Sequence, residues 1–271
     1  MEFHSQARVR LTRWFLLFVV LAAIVGGITW WRNEQLSKKL QLVPSVSSSS
    51  VRAISASFSK TQYSINDPAS IWVVVNKGRV LPNSYVPADL VVSNVSLSES
   101  VASENMHLRR DSAAAAEKLI GAASNGGLKL MLVSGYRSYV TQQSVYSGYV
   151  ATGGKAYANA TSAQPGHSEH QTGLAADLGA VSRKCQLEVC FGEAAEGKWL
   201  AANAYKYGFI IRYQKDKNNL TGYDYEPWHI RYIGSDLAAQ IYNNGQTLEQ
   251  FFGLPAYADY PANSYQLEVG R

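Results

Sequence analysis

The sequence has little charge for its length. Of its 271 residues, 17% are Asp, Glu, Lys or Arg, 46% are apolar, and the net charge is only +5. This composition excludes a wholly disordered chain and indicates that most of it folds. The basic residues form no stripe interleaved with aromatic residues, which argues against nucleic acid as a partner. No segment repeats itself, so the sequence gives no sign of a repeat architecture.

Cysteine is also scarce. With only Cys185 and Cys190, the chain cannot complete a cysteine-based metal knuckle. The two residues enclose four others, a spacing that a local disulfide can close, and two unrelated thiols are the alternative. A disulfide would indicate an oxidising compartment.

Charged residues are entirely missing from residues 14–31. A helix of this length spans roughly 27 Å, close to the hydrocarbon core of a bilayer. Tryptophans stand at both ends, where interfacial aromatics are common. A cleaved signal peptide is the alternative, but its apolar core is usually shorter and a small-residue cleavage site follows it. We therefore expect an uncleaved, single-pass transmembrane anchor after a short tail of residues 1–13.

The anchor is followed by a serine-rich stretch, residues 32–60, which is typical of a flexible linker. Residues 61–271 then form the predicted folded domain, which we expect to be monomeric. Positive charges on the two sides of the anchor are balanced and do not decide its orientation. A disulfide would place the domain on the extracytoplasmic side of the cell membrane.

Within the domain, short apolar runs alternate with helical patterns. Strands are predicted at 71–75, 128–133, 174–179, 208–213 and 228–233. Helices are predicted at 109–124, 141–150, 197–207 and 235–243, the last with Ser235 as its N-cap. This mixture predicts an α+β fold with a small, mostly antiparallel sheet and flanking helices.

Two short motifs carry the chemistry. The first, Ser168-Glu-His-Gln-Thr-Gly-Leu-Ala-Ala-Asp177, contains His170 and Asp177, and the second is Glu226-Pro-Trp-His229. Two imidazoles and one carboxylate suit zinc, and three protein ligands leave a coordination position free for catalysis. The remaining carboxylate, Glu226, is then available as a general base, provided that a turn at Pro227 lets it face the metal with His229.

These motifs, with Ser134-Gly-Tyr-Arg-Ser138, Pro165-Gly-His-Ser-Glu-His170 and Tyr225-Glu-Pro-Trp-His229, resemble the VanY and LdcB type of zinc D-alanyl-D-alanine carboxypeptidase. The resemblance covers about residues 70–250, with all landmarks in order. It implies the small α+β peptidase fold that is shared with Hedgehog-type domains. It also implies Zn²⁺ as cofactor and peptidoglycan stem peptides as the binding partner.

The resemblance further implies a role for each matching residue. His170, Asp177 and His229 match the zinc ligands, and Glu226 matches the catalytic base. Arg137 matches the arginine that holds substrate and stabilises charge near the scissile carbonyl. Gln142 matches a substrate-contacting glutamine, and Ser168 and Tyr213 match positions that line the pocket of the tetrapeptide-trimming branch.

The expected reaction is removal of the C-terminal D-alanine from a stem peptide, by D,D- or L,D-carboxypeptidase activity. Two alternatives remain at the level of sequence. A related endopeptidase would cut inside the stem or cross-bridge, and a non-catalytic module would bind cell-wall peptide without cutting it. The presence of Glu226 argues against the second alternative.

Overall fold

The computed structural model describes residues 27, 29–32, 34 and 58–268. The chain divides into two units, Met1–Phe58 and Ser59–Arg271. In the first unit residues 27, 29–32 and 34 are helical, and most of the predicted anchor, residues 14–26 and 28, lies outside the described part. Most of the predicted linker at 32–60, residues 33 and 35–57, lies outside it as well. Among the described residues, no helix is long and apolar enough to cross a membrane.

The second unit mixes short strands with helices. Its strands are β1 (Arg79–Val80), β2 (Leu90–Val92), β3 (His107–Arg109), β4 (Leu130–Ser134), β5 (Ala175–Ala180), β6 (Phe209–Ile211), β7 (His229–Tyr232) and β8 (Tyr265–Gln266). Its α-helices are α1 (Arg110–Asn125), α2 (Tyr139–Thr161), α3 (Ala195–Asn203), α4 (Asn218–Thr221), α5 (Ser235–Asn244) and α6 (Leu248–Phe252). Short 3₁₀ helices are Glu104–Met106, Glu169–Thr172, Val189–Glu193 and Ala204–Tyr207.

The central sheet has four strands in the order β4-β5-β7-β6, and every neighbouring pair is antiparallel. A second antiparallel pair joins β2 to β3, while β1 and β8 form a short parallel pair. The predicted α+β fold with a small, mostly antiparallel sheet is therefore confirmed. β5 lies in the middle of the sheet and is buried over its whole length, so its side chains are held firmly in place.

One face of the sheet packs against the helices. In α1 the buried residues, among them Ala113, Ala116, Leu119 and Ile120, recur at helical spacing. They pack against Leu132, Leu178 and Ile230 of the central strands. The opposite face of the same strands is thereby left to carry polar side chains.

The strand predicted at 71–75 is absent, although Val73, Val74 and their neighbours are buried. Buried carbonyls need hydrogen-bond partners, and here arginine side chains supply them. The carbonyl of Val73 accepts from Arg231 Nη2 at 2.7 Å, and that of Val74 accepts from Arg79 Nε at 2.8 Å. The prediction was therefore wrong because guanidinium groups replace the neighbouring strand.

Two helix predictions also differ from the structure. The helix predicted at 141–150 extends through Thr161 as α2, passing over a kink at Gly154, where φ is 78°. In α5 the N-cap position is Gly234, and Ser235 makes no capping hydrogen bond. The Ser235 hydroxyl contacts Asp236 instead.

Candidate active site

Asp177 and His229 are brought together by strand pairing. β5 and β7 run antiparallel with Asp177 directly opposite His229, and Ser134 at the end of β4 lies opposite Asp177 on the other side. Paired residues share a face of the sheet, whereas neighbouring residues along a strand alternate. Asp177 and His229 therefore point away from the core that contains Ile230, and the 52-residue gap in sequence between them is closed by the sheet.

His170 is supplied by the 3₁₀ turn Glu169–Thr172, directly before β5. Ser168 caps this turn, with its hydroxyl oxygen accepting from the His170 amide at 3.3 Å. Gly173 ends the turn with φ of 65°, a conformation that costs glycine little. This turn and the strand that follows it bring His170 and Asp177 into one site.

The polar atoms of these three side chains converge. His170 Nε2 lies 3.3 Å from Asp177 Oδ2, and His229 Nδ1 lies 3.3 Å from Asp177 Oδ1. One ligand atom from each residue lies within 4.8 Å of the other two. Each residue is about 4% exposed. Burial alone would raise the pKa of Asp177, but the two histidines hold it well below its usual range.

The donor set fits a divalent metal such as Zn²⁺, because two imidazoles and a carboxylate match its ligand preferences. His170 Nδ1 lies 2.6 Å from the carbonyl oxygen of Gly135, so that nitrogen donates and Nε2 is left with its lone pair toward the site. Asp177 Oδ1 is buried and makes no hydrogen bond to any described residue. A buried carboxylate oxygen without a donor is an energetic cost unless a cation satisfies it.

Glu226 reaches the same site through a turn. The amide of His229 donates to the carbonyl of Glu226 at 3.3 Å, which closes the turn predicted around Pro227. Glu226 Oε2 consequently lies 3.4 Å from His229 Nδ1, with 15% of its side chain exposed. Burial raises the pKa of Glu226 to about 8; His229 opposes this shift and Asp177 adds to it.

Arg137 follows β4 and is held beside Asp177. Its Nη1 donates to Gln142 Oε1 at 2.9 Å, its Nη2 donates to Ser134 Oγ at 3.0 Å, and Nη2 lies 3.9 Å from Asp177 Oδ2. A fixed guanidinium at the edge of a metal site suits a carboxylate or a developing oxyanion.

Gln142 was expected to contact substrate, and it does line the cleft. However, its side chain is already engaged within the protein. Its Oε1 accepts from Arg137, and its Nε2 donates to Ser162 Oγ at 3.2 Å and to the carbonyl of Ala163 at 2.7 Å. Only 1% of the residue is exposed. The structure therefore shows Gln142 orienting Arg137.

The cleft above these residues has a volume of about 120 Å³. Ser168 and Tyr213 both line it, as expected, and the Tyr213 ring packs 4.9 Å from the His229 ring. Burial raises the pKa of Tyr213 well above its usual value, so its hydroxyl stays protonated. Apolar side chains complete the walls of the cleft: Val145 and Tyr149 of α2, Leu187 and Trp228.

Leu187 belongs to a disulfide-closed loop. Cys185 and Cys190 form the disulfide, so the alternative of two unrelated thiols is wrong. Cys185 and Leu187 both have positive φ, as does Arg183 shortly before them. The loop follows β5 directly, which places it at the cleft.

Sequence reasoning missed a group of buried charges behind the site. Glu169, Arg212, Arg231 and Glu249 are each at most 1% exposed. Glu169 Oε1 accepts from Arg212 Nε at 2.8 Å and from Arg231 Nη1 at 2.7 Å. Burial alone would raise the pKa of Glu169, but the two arginines hold it well below its usual range. The sequence does contain one indication of these buried charges, because an arginine lies within or beside each of two apolar strands.

A sequence profile of the VanY family, described as D-alanyl-D-alanine carboxypeptidase, matches residues 105–235. The YodJ protein of Bacillus subtilis (strain 168), whose carboxypeptidase name is provisional, is 37% identical over 262 residues. That alignment covers 89% of this chain and 96% of YodJ.

Two solved structures share the fold. The LD-carboxypeptidase LdcB is 44% identical, with a TM-score of 0.66 over 69% of this chain and 87% of that chain. A mutant of the vancomycin-resistance D,D-pentapeptidase VanY from a VanB-type cassette, solved with Zn(II), is 32% identical. Its TM-score is 0.54 over 66% of this chain and 97% of that chain.

Proposed function

This chain belongs to the VanY family of zinc-dependent D-alanyl-D-alanine carboxypeptidases, and from this premise we propose that it removes the C-terminal D-alanine from peptidoglycan stem peptides. The observation that carries the proposal is the convergence of His170, Asp177 and His229, with Glu226 and Arg137 at the same cleft. A peptide hydrolase of this kind needs a metal site, a base and a cation for substrate charge, and all three are present.

We propose that the bond cut is the L,D-bond of the tetrapeptide. The identity to the LD-carboxypeptidase LdcB, 44%, exceeds the 32% to the D,D-pentapeptidase VanY, and the TM-score is also higher. Ser168 and Tyr213, which match pocket positions of the tetrapeptide-trimming branch, both line the cleft.

His170 Nε2, His229 Nδ1 and the Asp177 carboxylate would hold the metal. The chemistry that Zn²⁺ supplies at such a site is Lewis acidity, which makes water nucleophilic near neutral pH. Glu226 accepts the proton from that water and passes it to the leaving amine. Burial raises the pKa of Glu226 to about 8 in the metal-free protein. A bound cation would lower that pKa toward the working pH, where a general base is most effective.

Arg137 supplies the fixed positive charge. Gln142 and Ser134 hold its guanidinium in place, so little reorganisation is needed when negative charge develops on the scissile carbonyl. Removing one such preorganised donor typically lowers kcat by about 10²–10³. The same guanidinium can pair with the terminal carboxylate of the peptide, since its planar fork matches carboxylate geometry.

The test is mass spectrometry of stem peptides incubated with the zinc-loaded full chain. We expect a tetrapeptide to lose one alanine. Loss of alanine from a pentapeptide alone would contradict the L,D assignment, and internal fragments would indicate an endopeptidase. Glu226→Gln should abolish the reaction, whereas Glu193→Gln, at an exposed ion pair with Lys198, should leave it unchanged.

We also propose that residues 14–31 anchor the protein in the cell membrane with its catalytic domain on the extracytoplasmic side. Two features support this orientation: the substrate class lies outside the membrane, and a disulfide persists in an oxidising compartment. The test is protease treatment of intact spheroplasts. Digestion of the domain without lysis is expected, and protection until lysis would contradict the orientation.

A further inference from the structure

Two buried polar atoms face each other behind the metal site without a hydrogen bond. His229 Nε2 and Glu169 Oε2 are 3.6 Å apart. Both are buried, and neither has a hydrogen-bond partner among the described residues. Two orphan atoms of this kind are costly to bury separately, and a small approach would satisfy both.

The orientation of the Glu169 carboxylate is fixed from its other side. Its Oε1 is held by Arg212 Nε and Arg231 Nη1 at 2.8 and 2.7 Å. Arg212 in turn forms a two-pronged pair with Glu249, at 2.6 and 3.1 Å. Arg231 Nη2 donates to the carbonyl of Val73. With Oε1 held in this way, Oε2 points toward His229.

The charges of this cluster cancel, since two glutamates face two arginines in a fully buried setting. Glu169 is thus an anion, and an ionised carboxylate can only accept hydrogen bonds. A hydrogen bond between Glu169 and His229 therefore requires a proton on His229 Nε2. A proton on Nε2 leaves the lone pair on Nδ1, the atom that faces Asp177 and Glu226.

We propose that Glu169 is a positioning residue that accepts a hydrogen bond from His229 Nε2–H and so holds Nδ1 toward the metal. This inference rests on the proposed zinc function. Each histidine ligand would then donate a hydrogen bond from the ring nitrogen that does not face the metal: His229 to Glu169, and His170 from Nδ1 to the Gly135 carbonyl. His229 differs in having a charged acceptor, which makes the imidazole a stronger ligand.

The test compares Glu169→Gln with Glu249→Gln by measuring zinc affinity in competition with a chromophoric chelator. The amide side chain in Glu169→Gln has one acceptor oxygen, and this oxygen would accept the hydrogen bonds from Arg212 and Arg231. The amide NH₂ would then face His229 and favour the wrong tautomer. We expect zinc to bind Glu169→Gln about 10- to 100-fold more weakly. Glu249→Gln removes a carboxylate from the same cluster without touching His229, so its zinc affinity should stay within about threefold.

A second measurement needs no variant. In the zinc-loaded wild-type chain with ¹⁵N-labelled histidine, the His229 ring should carry its proton on Nε2, in slow exchange with water. A proton on Nδ1 instead would overturn the proposal, as would unchanged zinc affinity in folded Glu169→Gln.

Neither of these two measurements uses a peptide substrate. Normal zinc binding without cleavage of any stem peptide would contradict the proposed function alone, whereas intact cleavage and unaltered affinity in Glu169→Gln would contradict this role alone.

Discussion

Asp177 and His229 occupy directly paired positions on two neighbouring antiparallel strands, with Asp177 Oδ1 3.3 Å from His229 Nδ1. The sheet itself therefore sets the spacing of two metal ligands. Because central strands are the most rigid part of a small domain, the site is preorganised and needs little adjustment to bind a cation. His170, on a capped turn, is the third point of the same rigid frame.

Replacing His229 with alanine should remove the metal. The two remaining ligands, His170 and Asp177, cannot complete a three-ligand zinc site. We expect zinc content, measured by atomic emission after dialysis, to fall from about one ion per chain to near zero. His107→Ala is the control, since the His107 ring bonds to the Ser103 carbonyl and is not one of the three converging ligands. Full zinc content in His229→Ala would remove this residue from the ligand set.

Gln142→Ala should weaken catalysis through Arg137. Loss of the 2.9 Å hydrogen bond frees one side of the guanidinium, and we expect kcat/KM to fall about 10-fold with zinc content unchanged. The decisive measurement is the double variant. If Gln142 acts only through Arg137, adding Gln142→Ala to Arg137→Ala costs little more. A full additional loss would indicate that Gln142 contacts substrate directly.

Zinc affinity should rise with pH, and the pKa values give the sign. Burial alone would lower the pKa of His229, but Asp177 and Glu169 raise it to about 9, so His229 is protonated in the metal-free protein at pH 7. Glu226, with a pKa of about 8, is protonated there as well. Burial lowers the pKa of His170, which is therefore already neutral.

Zinc must displace the His229 proton, and its charge should lower the pKa of nearby Glu226 by about 1–3 units. At pH 7 we therefore expect release of about two protons on binding, measured by calorimetry in buffers of different ionisation enthalpy. Glu226→Gln should release about one. Release of none by the wild-type chain would show that His229 is neutral before binding.

Much of the site could be predicted because its residues lie in short, contiguous motifs. His170 and Asp177 share one segment, and Glu226 and His229 share another. Their local turns follow from glycine and proline chemistry. The pairing of Asp177 with His229 could not be predicted in the same way, since strand register depends on contacts that are distant in sequence.

The buried charges escaped prediction for a physical reason. Arg212 directly follows one apolar strand, and Arg231 lies within another. A sequence pattern does not predict that a charged residue is buried at such a position unless its partner of opposite charge is known. The partners, Glu169 and Glu249, lie 37 to 62 residues away. Arg231 of this cluster, together with Arg79, also accounts for the wrong strand at 71–75, because these two arginines bind carbonyls there that a neighbouring strand would otherwise bind.

Reducing the disulfide should weaken substrate binding with little effect on the chemical step. Arg183, Cys185 and Leu187 all hold left-handed φ values between 56° and 59°, a conformation that costs non-glycine residues about 1–2 kcal/mol each. The disulfide holds the last two within its short loop. Without that constraint the loop can relax, and Leu187 leaves the wall of the cleft.

We expect KM for the stem peptide to rise about 3- to 10-fold on reduction, because losing one apolar contact is worth roughly 1 kcal/mol, while kcat and zinc content stay unchanged. The proposed metal ligands and Glu226 lie on β5, β7 and their turns, and Arg137 follows β4, so none of these groups belongs to the loop itself. The double variant Cys185→Ser/Cys190→Ser should show the higher KM at once and no further response to reductant, which separates loop opening from any effect of the reductant on zinc. A fall in kcat at constant KM would instead mean that the loop shapes the catalytic groups themselves, and the assignment of Leu187 to substrate binding would then be wrong.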